Sequence, residues 1–235
     1  MTKAFVAGAT GFTGREVVRL LAAAGISAVA HVRPDSPSLG TWRDRFGAMG
    51  ASVDATPWDA QALAASIQRL RPEMVFCLIG TTRKRGQAAA AAGRPAESYE
   101  SVDYGLTKLL ADACVAAGHR PRFLYLSAAG ASERAGSPYG RARWKAEQAV
   151  RTSGLPYTIA RPSFIVGEGR DEPRPAELWG ARAVDGLLTV AGAVGFRTMR
   201  ERYRSTSNEV LAAALLRLAQ DPAAVDATIE SEDLR

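Results

Sequence analysis

Lys3-Ala-Phe-Val-Ala-Gly8-Ala-Thr-Gly11-Phe-Thr-Gly14-Arg-Glu-Val-Val-Arg-Leu-Leu-Ala-Ala-Ala-Gly25 sets a short apolar strand, a glycine loop and an amphipathic helix in immediate succession. Ala4 to Ala7 is too brief for a membrane span or a signal-peptide core, so it reads as a buried strand. Val17, Val18, Leu20 and Leu21 recur at helical spacing over 12–24, and Gly25 is placed to stop that helix. Three glycines between such elements let the chain turn sharply. They also let an anion approach the unpaired N–H groups at the helix N-terminus.

Outward from this unit the alternation continues. Apolar runs at 27–32, 51–54, 73–79, 122–127 and 156–160 read as strands, and 41–49, 59–70, 100–117, 138–153 and 208–219 as helices. Arg33-Pro34 closes the second strand, because proline cannot donate to a ladder. The run at 73–79 is the most hydrophobic in the chain, as a central strand buried on both faces requires. Strands separated by helices imply right-handed βαβ units and a parallel sheet. The expected fold is a doubly wound α/β Rossmann sheet of six or seven strands in one domain over 1–235. Residues 163–207 and 220–235 are expected to form a small C-terminal lobe covering a substrate cleft.

The bulk numbers agree with one large domain: 235 residues, 47% hydrophobic and 23% charged. No membrane span is expected, and the composition predicts a cytoplasmic protein. The net charge of +6 rests on arginines scattered in short runs without interleaved aromatics, a poor match to any nucleic-acid-binding module. Cys77 and Cys114 lack neighbours at ligand spacing, so no metal is expected.

The loop Gly8-Ala-Thr10-Gly11-Phe12-Thr13-Gly14 points to a dinucleotide, whose pyrophosphate would sit on the backbone of these residues. NAD-preferring sites place a carboxylate at the end of the second strand to hold the adenosine ribose. Here that strand ends in His31-Val-Arg33. A guanidinium binds a 2′-phosphate through forked, charge-assisted hydrogen bonds, so NADP(H) is expected over NAD(H), with Arg33 as the reader and Arg15 as a second contact.

GATGFTG resembles the GxxGxxG loop of the atypical and extended short-chain dehydrogenases. Gly80-Thr81-Thr82-Arg83 followed by Val102-Asp-Tyr104 resembles, more narrowly, the Tat-interacting-protein (CC-three) subfamily. Leu126-Ser-Ala-Ala-Gly-Ala131, Arg161-Pro162 and Glu230-Ser-Glu-Asp-Leu234 extend the likeness over nearly the whole chain. The resemblance implies membership of the epimerase/dehydratase superfamily. It also implies cofactor contacts from Asp59, Gly80, Thr81, Thr82, Tyr139, Arg143, Arg161 and Pro162. Asp59 reads equally well as the N-cap of the helix that follows it.

These dehydrogenases use a YxxxK pair, in which the tyrosine exchanges a proton with substrate and the lysine holds the ribose and lowers the tyrosine pKa. The register here gives Tyr139-Gly-Arg-Ala-Arg143, an arginine in the lysine's place. Lys145 projects from a helical face about 120° away and does not substitute. Arg143 keeps a permanent charge that can stabilise a tyrosinate and bind ribose, but it cannot relay a proton. Ser127 is the candidate helper hydroxyl, although Ala128 and Ala129 follow it; Tyr139 also reads as a surface helix tyrosine.

Three functions follow. One is an NADPH-dependent reductase of a carbonyl on a small-molecule substrate, with Tyr139 as acid. Another is an NmrA-like regulator that binds NADPH and changes its affinity for a protein partner. The third, a nucleotide-sugar epimerase or dehydratase, is disfavoured by the short C-terminal portion.

Overall fold

Strict two-residue alternation along the strands decides the layering. Ala4 and Val6, Met74 and Phe76, and Leu124 and Leu126 enter one core, whereas Phe5 and Ala7, Val75 and Cys77, and Phe123 and Tyr125 enter another. A strand whose successive side chains are all buried must be covered on both faces, which is the doubly wound arrangement. The computed structural model describes residues 2–81, 86, 87, 91, 97–166 and 206–234.

The central sheet has seven parallel strands: β1 (Lys3–Ala7), β2 (Ser27–His31), β3 (Ser52–Asp54), β4 (Met74–Cys77), β5 (Arg122–Leu126), β6 (Tyr157–Arg161) and β9 (Ala227–Glu230), in the order β3-β2-β1-β4-β5-β6-β9. Two-residue strands β7 (Ile165–Val166) and β8 (Thr206–Ser207) form a separate parallel pair. One face carries α1 (Phe12–Ala23), α2 (Leu39–Ala48) and α6 (Asn208–Gln220); the other carries α3 (Ala60–Leu70), α4 (Thr107–Ala116) and α5 (Pro138–Thr152). The order reverses between β1 and β4, and in open α/β sheets ligands bind outside the carboxyl ends of the strands at that switch point.

Two elements differ from the sequence expectation. The helix expected near 100–117 begins as a π-helical stretch, Tyr99–Leu106, before continuing as α4. Ser98 and Ser101 cap it reciprocally, and the wider turn carries Asp103 into the interior. Residues 227–230, expected in the small lobe, instead pair with β6 from Thr158↔Ala227 to Arg161↔Glu230. The run is only four residues with one large apolar side chain, Ile229, so its period was too short to read. Of the remaining expected lobe, 167–205 lies outside the described residues.

Candidate dinucleotide and proton-transfer site

Gly8 leaves β1 at φ +81°, and a Cβ there would stand 2.5 Å from the Leu78 carbonyl oxygen just past β4. At Gly14 a Cβ would meet the Gly8 carbonyl oxygen at 2.1 Å, so this glycine lets α1 press against the loop. Gly11 differs. It is exposed, caps α1 with extended backbone, and its nearest would-be contact is the Gly8 oxygen at 3.1 Å. Two glycines therefore serve the chain's own packing, and the third leaves its outer side open to an approaching group. No side chain caps α1 and no acidic residue lies in its first turn, so the positive end of the helix has no built-in counter-charge. This cradle fits a pyrophosphate. Thr10 and Phe12 are half-buried and Thr13 is buried in the same turn. The Phe12 carbonyl accepts from Asn208 Nδ2 at 3.0 Å, which ties α6 to the loop.

Arg33 stands just beyond β2 with its side chain about one-third exposed. It pairs with Glu97 at 3.2 Å and approaches Asp35 at 3.9 Å. Arg15 lies over the Trp42 ring at 5.9 Å, on the α2 side of the loop. Asp59 is exposed and accepts from the Ala62 N–H at 2.9 Å, which is the N-cap geometry for α3. His31, at the end of β2, contacts the Trp58 ring edge-on at 4.7 Å and donates from Nε2 to the Thr56 carbonyl at 2.8 Å. Burial holds its pKa below the ordinary imidazole value.

Beyond the C-terminal ends of β4 and β5 lies a buried ionic centre. Arg143 donates to the Leu126 carbonyl at 2.7 Å and to the Tyr125 hydroxyl at 3.3 Å, and pairs with Asp103 at 3.0 Å. Asp103 is fully buried and also accepts from the Thr81 N–H at 3.1 Å. Burial opposes the Arg143 charge, yet Tyr125, Tyr139 and Asp103 outweigh it and raise the pKa well above the arginine value. Gly80 is glycine partly for this reason, since a Cβ there would stand 2.6 Å from Arg143 Nη2. Tyr139, in the first turn of α5, is half-buried; its ring lies 5.1 Å from the Arg143 guanidinium and edge-on to Tyr99 at 5.3 Å. Lys145 points elsewhere, to Glu100 at 2.7 Å.

Ser127 is buried, and its hydroxyl donates to Glu147 at 2.6 Å. Glu147 is itself fully buried and pairs with Arg161 at 2.6 Å, and Arg161 reaches Glu230 at 3.0 Å. Hydrogen bonds and charge from Glu147 and Glu230 raise the Arg161 pKa. The structure thus gathers Ser127 and Arg161 into a brace joining β5, α5, β6 and β9. Pro162 is buried after β6, and its carbonyl accepts from the Ala129 N–H at 2.8 Å.

Most of the expected residues therefore form two groups at the carboxyl ends of the strands, the glycine loop with Arg33, and Gly80, Thr81, Tyr139 and Arg143; Ser127 and Arg161 belong instead to the Glu147 brace, and Asp59 caps α3. Thr82 lies outside the described residues. Sequence reasoning did not single out Glu97, Glu147 or Asn208, and it met Asp103 only within the Val102–Tyr104 motif, without a role. Glu147 could have been found, being four residues after Arg143 and so on the same helical face. Among the described residues no cluster of His, Cys, Asp or Glu could hold a metal ion, and no helix is long and apolar enough to cross a membrane. A cavity of about 500 Å³ lined by Arg120, Arg151, Tyr157 and Asp226 opens at the opposite, N-terminal ends of β5, β6 and β9.

Residues 8–178 match a protein family described as NAD(P)H-binding. The mitochondrial protein fmp52-1 of Aspergillus terreus is 29% identical over 179 residues, which is 75% of this chain and 72% of that protein. A ceramide reductase of Caulobacter vibrioides is 31% identical over 167 residues, 71% of this chain but 47% of the relative. Among solved structures, the anaerobillin reductase ChuY from Escherichia coli O157:H7 shares the fold, with a TM-score of 0.63 at 17% identity over 98% of this chain and 97% of that one.

Proposed function

The chain belongs to the NAD(P)H-binding family, and from that premise we propose that it is an NADPH-dependent reductase of a carbonyl group. The observation that carries this reading is Tyr139 held over the buried guanidinium of Arg143 at 5.1 Å. When bound, the dinucleotide supplies a hydride to the carbonyl carbon. Tyr139 gives its phenolic proton to the carbonyl oxygen. A fixed cation beside the ring stabilises the resulting tyrosinate, because a charge in a water-poor site acts more strongly than in bulk. Arg143 cannot carry a proton onward. Tyr139 is half-exposed and recovers its proton from water. Arg33 favours NADPH through the 2′-phosphate.

Positioned general acids contribute about 10²–10⁴-fold. Tyr139→Phe is therefore expected to lower kcat for NADPH oxidation over a carbonyl panel by at least about a hundredfold, with NADPH affinity unchanged. Undiminished turnover in Tyr139→Phe would remove the proposal.

One observation favours a second reading, a non-catalytic NADPH-binding regulator of a protein partner. The Arg143 fork is spent inside the protein, on the Leu126 carbonyl, the Tyr125 hydroxyl and the Asp103 carboxylate, at the position where the resemblance places a lysine that holds the ribose. Tight NADPH binding with no turnover on any panel member would select this reading.

A further inference from the structure

A carboxylate spans the carboxyl end of β1, beside the glycine loop. Glu97 Oε1 pairs with Arg33 Nη1 at 3.2 Å, and Glu97 Oε2 accepts from the Thr81 hydroxyl at 3.3 Å. Arg33 follows β2 and Thr81 follows β4, and these strands flank β1 on either side. The Arg33–Glu97–Thr81 bridge therefore crosses the carboxyl end of β1, where the glycine loop begins. Thr81 is fixed in turn, since its N–H is held by the buried Asp103 at 3.1 Å. The Glu97 side chain is 17% exposed, so its charge is incompletely screened.

We infer that Glu97 determines how strongly the site prefers NADPH over NADH, by competing with the 2′-phosphate for Arg33. This rests on the reading that Arg33 receives that phosphate. A 2′-phosphate entering the Arg33 fork must displace Glu97 or lie beside it, and both anions then share one cation. Displacement also gives up the hydrogen bond from Thr81. The 2′-hydroxyl of NADH imposes neither cost, and it can donate a hydrogen bond to the carboxylate in place. Glu97 thus acts as an internal anion that narrows the discrimination Arg33 alone would give. It supplies the acidic residue missing from the end of β2 from another part of the chain, the segment before the π-helical turn.

The test is the dissociation constant of NADPH, NADH, 2′,5′-ADP and 5′-AMP for wild type, Glu97→Gln, Glu97→Ala, Arg33→Ala and the Arg33→Ala/Glu97→Gln double variant. Thermal denaturation establishes that each is folded. Both Glu97 variants are expected to bind NADPH and 2′,5′-ADP about tenfold more tightly, ~1.4 kcal/mol, with NADH and 5′-AMP unchanged or weaker. The gain should shrink when Arg33 is alanine. If Arg33→Ala leaves the NADPH-to-NADH ratio unchanged, the assignment of Arg33 to the phosphate fails. If Arg33→Ala lowers that ratio but both Glu97 variants keep it within twofold of wild type, the role of Glu97 alone is overturned.

Discussion

Replacing Asp103 by alanine tests whether the ionic centre behind Tyr139 is held together as its geometry implies. The pair is 3.0 Å apart, with side-chain exposures of 8% for Arg143 and 0% for Asp103. At an effective dielectric of about 20, unit charges at that separation attract by roughly 5 kcal/mol, comparable to the several kcal/mol each loses by leaving water. The intact pair is therefore worth little net, but removing one member strands the other. Asp103→Ala should cost about 3–5 kcal/mol, and it also deprives the buried Thr81 N–H of its acceptor. For a chain of this size that is a fall in melting temperature of about 6–20 °C. The assay is urea denaturation, in which the midpoint should drop while the slope stays constant. The double variant Asp103→Leu/Arg143→Met strands no charge and should lose less than Asp103→Ala, its remaining cost coming from the unpaired Thr81 N–H and Leu126 carbonyl. A loss below about 1 kcal/mol in Asp103→Ala would refute the reasoning. It would mean that the Leu126 carbonyl and Tyr125 hydroxyl satisfy the guanidinium unaided.

The glycine loop predicts an asymmetry: Gly14→Ala puts a Cβ 2.1 Å from a backbone oxygen, so it should cost at least about 1–3 kcal/mol of stability, whereas Gly11→Ala, at 3.1 Å, should fold near-normally but bind NADPH weakly. Equal melting temperatures for the two variants would contradict that division of roles. His31 predicts a pH effect. Its folded pKa lies below the unfolded value of about 6.5, so its stabilisation is complete above that pH and declines as pH falls below it, by at most ~1.4 kcal/mol per pH unit. Urea midpoints from pH 7.5 to 5 should slope downward on acidification, and His31→Phe should flatten the slope. An unaltered slope in His31→Phe would rule out this histidine as the source. Asp54 is separable. Burial works against its charge, but hydrogen bonds from Thr56 and Ser66 dominate and lower its pKa, so its contribution is lost only at more acidic pH, below about 4.

The first βαβ unit was legible because period and punctuation agree there: a buried strand, glycines and an amphipathic helix all specify the same turn. The second half of the site was less legible, for reasons that differ by residue. Asp103 lies in a helical stretch where an acidic side chain ordinarily faces water, and a wide π-turn leaves no mark on hydrophobic spacing. Arg143 was located by its distance from Tyr139, but spacing along one helix says nothing of the Leu126 carbonyl that takes up part of its fork. Arg161 was expected beside the cofactor. Its pairing with Glu230 depends on β6 meeting β9, a contact between residues 69 apart in sequence. Glu97 follows a run of alanine and polar residues without periodicity, so its meeting with Arg33 is a product of tertiary structure alone.

The Asn208 bond to the Phe12 carbonyl also bears on the order in which the protein is made. Helix α6 covers the apolar flank of α1, and the two helices meet across nearly 200 residues of intervening chain. While a nascent chain emerges N-terminus first, Val17, Val18 and Leu21 wait without their cover until Leu211 and Leu215 leave the ribosome. The glycine loop, synthesised well before α6, thus gains its Asn208 tether only once that helix has emerged. Nucleotide affinity should arise late in synthesis, as a property of the finished chain.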